Sequence, residues 1–126
     1  MRLIIMKGEY SIFKLEKDGD MNLPVPEGFV SYTRTGEELS LVCRSGAVTG
    51  CLKEESGWRL LMVEGPLDFS MTGVISSISG PLAGAGISIF VISTFDTDYL
   101  LIKSDRVRDA ARVLSENGFL VTGEGQ

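Results

Sequence analysis

The chain has 126 residues, of which 44% are hydrophobic and 23% charged, a composition typical of a soluble globular protein with one domain or two small subdomains sharing a core. Its formal charge of −5 disfavours a surface that follows nucleic-acid phosphates. It contains no histidine, which excludes Ser-His-Asp catalysis, Cys-His catalysis and any His-ligated metal site.

Residues 1–7 have too short an apolar core for a secretory signal, and no apolar run reaches the roughly 18–20 residues that a bilayer span needs. Cys43 and Cys51 are too few for a structural zinc site, and in a chain without a signal they are expected to be packed, reduced thiols. We therefore expect a cytoplasmic protein with no metal, no cofactor, no nucleic-acid partner and no membrane contact.

Apolar density predicts four strands in the N-terminal half of the chain. They cover residues 2–7, 10–15, 29–32 and 39–43. Pro24 and Pro26 interrupt regular structure between the second and third strands. Residues 44–57 are polar and contain glycine, which predicts a loop with a short irregular element.

The C-terminal half is predicted to alternate between strands and helices. Its strands cover residues 58–63, 87–93, 99–103 and 119–121. The first helix is expected to begin near Gly73 with Thr72 as its N-cap, and Ser104 is expected to cap the second. Gly84 and Gly86 are expected to end the first helix.

From residue 58 the predicted order is strand, helix, strand, strand, helix, strand. This is the ferredoxin-like βαββαβ arrangement, one antiparallel sheet with two helices on one face, so we predict an α+β fold with domains at 1–57 and 58–126. Residues 33–42 also line up with 93–102 at an offset of 60, each a hydroxyl-bearing corner, an acid and an apolar strand. Either duplication, with eroded helices in the first copy, or chance similarity of two strand–turn–strand units accounts for this.

Three stretches resemble the ACT domains, in particular the amino-acid-sensing type of aspartate kinases and the CASTOR arginine sensors. They are residues 65–75, 81–89 and 92–99. The resemblance covers residues 10–121 and implies an ACT domain at 58–121, preceded by a shorter, degenerate, β-rich ACT-like unit. It also implies side-by-side sheets from two units, usually in two chains, with an amino acid held at the junction.

Carried onto this chain, the resemblance places ligand contacts at the start of the first helix and at the corner after the second strand. They are Met71, Thr72, Gly73, Val74, Ile75, Thr94, Phe95 and Asp98. The unpaired N–H groups of a helix start suit a carboxylate, and Asp98 suits an α-ammonium. The first helical turn carries Ser76 and Ser77 but no acid to recognise a guanidinium, which disfavours a strongly basic ligand.

Structural alternatives accompany these assignments. Asp98 is also suited to a β-turn, and Gly73 to helix packing. Trp58, Phe90 and Tyr99 are expected in the core or in a dimer contact rather than stacked on bases, because the chain is acidic.

The favoured function is a non-enzymatic sensor, a homodimer that binds a small amino acid and thereby alters its association with an unidentified regulated protein. The second hypothesis is an interaction module that kept the fold and lost the ligand. The third, an enzyme acting on an amino-acid derivative, is disfavoured because the chain has no histidine and no base–nucleophile pair at short spacing.

Overall fold

The computed structural model describes residues 1–19, 27–65, 67 and 72–123. Within these residues the elements are β1 (Arg2–Ile5), β2 (Tyr10–Leu15), β3 (Ser31–Arg34), β4 (Leu39–Arg44), β5 (Lys53–Val63), α1 (Val74–Gly84), β6 (Phe90–Ser93), β7 (Asp98–Lys103), α2 (Val107–Glu116) and β8 (Leu120–Gly123). Neither of the two helices described, of 11 and 10 residues, is long and apolar enough to cross a membrane.

The chain divides into two compact units. Residues 1–7 and 58–126 form one, hereafter the C-terminal unit, and residues 8–57 form the other, the N-terminal unit. The expected division placed residues 1–57 together. The first seven residues instead lie in the C-terminal unit, because β1 pairs with both β5 and β8.

The sheet of the C-terminal unit has the strand order β8-β1-β5-β7-β6. Antiparallel pairing of β7 with β5 and β6 confirms the predicted ferredoxin-like βαββαβ core. β1 adds a fifth strand, antiparallel to β5 and parallel to β8. An apolar run such as residues 2–7 shows that a strand is present but not which sheet it joins.

The core of the C-terminal unit lies between this sheet and the two helices. Its fully buried side chains include Ile78 and Leu82 of α1, one turn apart, and Leu114 of α2. They pack with Leu61 and Leu100 from the central strands. Full burial of a side chain of this kind contributes about 1.5–3 kcal/mol. These buried contacts therefore hold both helices on the sheet.

Both helices end at a glycine in the left-handed conformation. After α1, Gly86 has a φ of 73° and its N–H donates to the Ala83 carbonyl. The N–H of Ile87 donates to the Leu82 carbonyl, which completes a Schellman motif. Gly118 has a φ of 91° at the corresponding position after α2. The predicted stop at Gly86 is confirmed.

The two predicted helix caps are wrong. Gly73, with a φ of 77°, takes the N-cap position of α1, and no side chain among the described residues caps that helix. Ser104 opens a 3₁₀ turn (Ser104–Arg106) that precedes α2, whose N-cap is Arg106. In both cases an extra backbone turn, left-handed at 73 and 3₁₀ at 104–106, moves the helix start past the hydroxyl residue.

Strands form every regular element in the described residues of the N-terminal unit, 8–19 and 27–57. β4 pairs antiparallel with β2 and with β3, and β2 also neighbours β5. A small core lies on this sheet, made of Phe13, Leu15, Leu39, Leu41 and Cys43. Cys43 and Cys51 are free thiols, the first buried and the second half-buried.

β5 begins at Lys53, five residues before the predicted strand. Residues 53–56 are exposed and polar, which had predicted a loop. The strand continues there because β5 lies beside β2, and the N–H of Leu52 already donates to the Lys14 carbonyl. Backbone pairing forms this part of the strand, so its composition carries no apolar signal.

The other strand boundaries differ less. β3 is Ser31–Arg34 rather than residues 29–32, and β6 begins at Phe90 rather than at 87. Ile87 belongs to the end of α1, since its N–H is bonded to the helix and its side chain is buried in the helix–sheet core. The apolar run 87–93 is therefore divided between a helix end and a strand.

Candidate functional site

The loop between β6 and β7, residues 94–97, is a hydrogen-bonded turn. The N–H of Thr94 donates to the Thr97 carbonyl at 2.9 Å, and the Thr94 hydroxyl donates to the same oxygen at 3.0 Å. Ser93 and Asp98 face each other across the turn, and the Ser93 hydroxyl donates to Asp98 Oδ1 at 2.5 Å. These bonds set the orientation of the Asp98 carboxylate.

A second set of bonds attaches this loop to the end of β5 and to the segment that follows it. Thr97 is only 7% exposed, and its hydroxyl donates to the Val63 carbonyl at 2.5 Å. The N–H of Leu67 donates to the Asp96 carbonyl at 2.7 Å. The loop is therefore bonded to the connection between β5 and α1 as well as within itself.

The start of α1 has backbone donors that no side chain in the described part of the chain caps. The first intrahelical bond runs from the Ser77 N–H to the Gly73 carbonyl at 2.8 Å, so the N–H groups before it have no acceptor within the helix. The first turn contains no acid. A Cβ at Gly73 would meet nothing within 4 Å, so the φ of 77°, and not packing against the protein, is what favours glycine there. The helix start therefore offers N–H donors and partial positive charge.

A cavity of about 370 Å³ lies between the start of α1 and the β6–β7 loop. It is lined by Leu67, Gly73, Val74, Ile75, Ser76, Ser93, Thr94, Phe95, Asp96, Thr97 and Asp98. Gly73 and Asp98, the two residues on which the expected site depends, border one hollow. Phe95 stands at this cavity with 78% of its surface exposed.

The cavity includes six of the eight residues expected from the sequence. Thr72 does not border it and instead lines a separate cavity with Ser77 and Asn117. Met71 lies outside the described residues.

Several lining residues were not predicted. Asp96 adds a second carboxylate, and the described residues that line the cavity include no Lys or Arg. Asp96 lies in the same polar corner as Asp98, so the sequence carried a signal by which it could have been predicted as a site residue. Leu67 carried no such signal, because an isolated leucine in a connecting segment is indistinguishable from a packing residue.

Binding of a small charged molecule is the chemistry that this arrangement supports. N–H donors at the helix start favour an anion, and the carboxylate of Asp98 favours a cation. Hydroxyl groups of Ser76 and Thr94 add both donors and acceptors. Across the described part of the chain, no three Cys, Asp or Glu side chains cluster in a way that would hold a metal ion.

The chain is similar to a protein family and to curated proteins. Residues 53–116 match the ACT domain model. The human protein named cytosolic arginine sensor for mTORC1 subunit 1 is 33% identical over 96 residues, which is 70% of this chain and 26% of the sensor. This chain thus spans about a quarter of the length of that relative.

Two solved structures extend the comparison to the whole fold. A crystal structure of a protein from Agobacterium tumefaciens is similar with a TM-score of 0.90 and 35% identity, covering 99% of this chain and 94% of that one. The regulatory subunit of aspartate kinase from Thermus thermophilus has a TM-score of 0.64 at 8% identity, covering 94% and 98%. The second likeness is one of fold alone.

Proposed function

This chain belongs to the ACT domain family, and from that premise we propose that it is a regulatory sensor that binds a free amino acid between the start of α1 and the β6–β7 loop. The observation that carries the proposal is the shared cavity, which brings backbone donors near Gly73 and the carboxylate of Asp98 to one hollow. A cavity of about 370 Å³ also falls within the range of about 300–1,000 Å³ typical of small-molecule sites.

The amino acid is expected to lie with its carboxylate at the first turn of α1 and its ammonium at Asp98. The Ser93 hydroxyl already donates to one oxygen of the Asp98 carboxylate, which orients the other oxygen for the ligand's ammonium group. Charge-assisted hydrogen bonds contribute about 1.5–3 kcal/mol each. After the costs of desolvation and ordering, a few such bonds correspond to dissociation constants in the micromolar to millimolar range.

Asp96 is the residue expected to decide whether the site accepts a ligand with a cationic side chain. The first turn of α1 has no acid, which favours a small amino acid over a basic one. Asp96 is nevertheless a second carboxylate at the cavity, and a cationic side chain would need it as a partner. Asp96→Asn is therefore expected to leave binding of a small neutral amino acid unchanged and to weaken binding of lysine or arginine.

The proposed sensor acts without catalysis, as a cytoplasmic homodimer that signals through a regulated partner protein. β6 pairs only with β7 among the described strands, and Phe90 and Val91 on it are 38% and 37% exposed. An apolar strand edge of this kind favours pairing with a second copy of the chain.

Calorimetric titration with each of the twenty standard amino acids tests the proposal. At least one is expected to bind the wild type, and Asp98→Asn is expected to weaken that binding by about tenfold to a hundredfold, through loss of a charge-assisted bond. Asp109→Asn is the matched control, because Asp109 is an exposed acid on α2 outside the cavity. Failure of all twenty to bind the wild type would reject the proposal.

A second candidate, an interaction module of the same fold without a ligand, is favoured by the exposed apolar edge of β6. It predicts a dimer that dissociates when Val91 is replaced by lysine and whose melting temperature no amino acid changes. A sensor predicts instead that an amino acid raises the melting temperature, since a ligand that binds only the folded state stabilises it. Sedimentation together with thermal shift separates the two.

A further inference from the structure

Gly65, the second residue after β5, lies against the back of the β6–β7 loop. A Cβ at this position would lie 3.0 Å from the Thr97 Cβ, 3.1 Å from the Asp96 carbonyl oxygen and 3.1 Å from the Leu67 nitrogen. Ordinary carbon contacts are about 3.5–4.0 Å, so no side chain fits without displacing one of these groups. Gly65 does not have a positive φ. Close approach, not a positive φ, is what favours glycine there.

The contacts around Gly65 join the same two segments. The Thr97 hydroxyl is bonded to the Val63 carbonyl on one side of Gly65, and the Leu67 N–H is bonded to the Asp96 carbonyl on the other. Both bonds require the backbone of the loop and that of the β5–α1 connection to come as close as Gly65 allows. Leu67 and residues 96–98 lie on these segments and line the cavity.

We infer that Gly65 and Thr97, the latter through its hydroxyl, are positioning residues for the amino-acid site. They hold the wall of the cavity formed by residues 96–98 against the β5–α1 connection. Gly65 does not line the cavity, so it acts through its neighbours. The inference rests on the proposed function. Loss of the attachment lowers the fraction of molecules in which the wall is in place, and apparent affinity falls in proportion to that fraction.

The chain supplies a matched control for each variant. Gly65→Ala is paired with Gly36→Ala, because Gly36 lies in the β3–β4 loop, has no positive φ and has open space around its Cβ position. Thr97→Val, which removes the hydroxyl at nearly constant shape, is paired with Thr97→Ser, which keeps the donor. The second pair also decides the matter if Gly65→Ala fails to fold.

Two measurements are made on each folded variant. Hydrogen exchange at the Leu67 amide reports the bond to Asp96 without any ligand, and titration with the amino acid that gives the largest thermal shift among the twenty reports affinity. Gly65→Ala and Thr97→Val are expected to accelerate exchange at Leu67 and to weaken binding by about fivefold to tenfold. Gly36→Ala is expected to match the wild type in both measurements. Thr97→Ser, which keeps the hydroxyl donor, is expected to restore the slow exchange at Leu67 that Thr97→Val loses.

The outcomes separate this inference from the proposed function. Exchange at Leu67 and affinity that stay at wild-type values in Gly65→Ala and Thr97→Val, even with a lower melting temperature, would overturn the positioning role alone. Absence of binding to the wild type overturns the proposed function and with it the role of these residues in binding. The exchange measurement then still shows whether they hold the two segments together.

Discussion

The β3–β4 hairpin of the N-terminal unit and the β6–β7 hairpin of the C-terminal unit share one backbone arrangement. Each closes a four-residue loop with a bond from the N–H of its first residue, a threonine, to the carbonyl of its fourth. The distance is 2.9 Å from Thr35 to Glu38 and 2.9 Å from Thr94 to Thr97. The two hairpins thus correspond at an offset of 59, and the buried triplets 41–43 and 100–102 coincide at that offset.

The offset of 60 read from the sequence is therefore wrong by one residue. It aligned Glu38 with Asp98, because both are acids preceding an apolar strand. Hydrogen bonding instead matches Glu38 with Thr97, and Asp98 with Leu39. Duplication of an ancestral unit remains our proposal for this likeness, and chance similarity remains its alternative.

The side chains of the two hairpins differ at the positions that correspond to the cavity residues Phe95 and Asp98. Leu39 is fully buried in the core of the N-terminal unit, whereas its counterpart Asp98 is a half-buried carboxylate at the cavity. Gly36 replaces the exposed Phe95. Two hairpins with the same loop backbone therefore border different surroundings. Under the proposed function, an acid at the first position of the second strand and a helix start beside the loop are needed in addition to that backbone.

Exchange of the two counterparts gives the largest effects. Leu39→Asp is expected to destabilise the fold by about 4 kcal/mol or more, because it removes a buried leucine and buries a carboxylate. Leu52→Asp is the control, since Leu52 belongs to the same unit and is 51% exposed. Urea denaturation measures both. Equal, small losses in the two variants would contradict the burial of Leu39 in the core of the N-terminal unit.

The reverse exchange, Asp98→Leu, is expected to affect binding rather than folding. It removes one hydrogen bond, that from Ser93, at a half-buried position, so the free energy of unfolding should change by less than about 1.5 kcal/mol. Affinity for an amino acid that binds the wild type should fall at least about tenfold. Calorimetry and denaturation are both required, and a collapse of the fold without a loss of affinity would argue that Asp98 is a turn residue only.

Thr35 and Thr94 are the first residues of the two loops, and replacing each hydroxyl is expected to have a smaller effect. The hydroxyl of Thr35 accepts from the N–H groups of Glu37 and Glu38, both at 3.1 Å, and that of Thr94 donates to the Thr97 carbonyl. Thr35→Val and Thr94→Val should each cost about 0.5–1.5 kcal/mol of stability. Only Thr94→Val should also weaken amino-acid binding, and a similar loss of affinity in Thr35→Val would count against a site confined to the C-terminal hairpin.

The smallest expected effect concerns Cys43, whose counterpart in β7 is Ile102. Burial, with a smaller contribution from the Glu54 carboxylate, raises the pKa of the Cys43 thiol. The folded state therefore holds this proton more tightly than the unfolded state does. The resulting stability is fully present below the unfolded pKa and is lost as pH rises through the folded pKa.

Denaturation at pH 8 and pH 10 measures this loss as a lower free energy of unfolding at the higher pH. Cys43→Val, which has no proton to release and so resembles Ile102, should lose less stability over that interval than the wild type. Cys51→Ala is the control and should keep the wild-type difference. An identical alkaline loss in Cys43→Val would assign it to other groups.

Hydrophobic periodicity in the sequence was sufficient for much of the C-terminal unit. Ile78 and Leu82, four residues apart, show the spacing typical of a buried helix face, and Gly86 predicted the end of α1. Burial and left-handed turns both select particular residue types. The family resemblance predicted ligand contacts, which stay a prediction; of the residues it named, Gly73 and Asp98 border one cavity.

The remaining features depend on which strands pair with each other, and residue type does not predict that pairing. The sequence showed a strand at residues 2–7, but only the folded sheet placed it between β5 and β8. The polar start of β5, the offset of 59 and the close approach at Gly65 arise in the same way. A strand edge is completed by hydrogen bonds that nearly every residue can make, so tertiary pairing alone decided them.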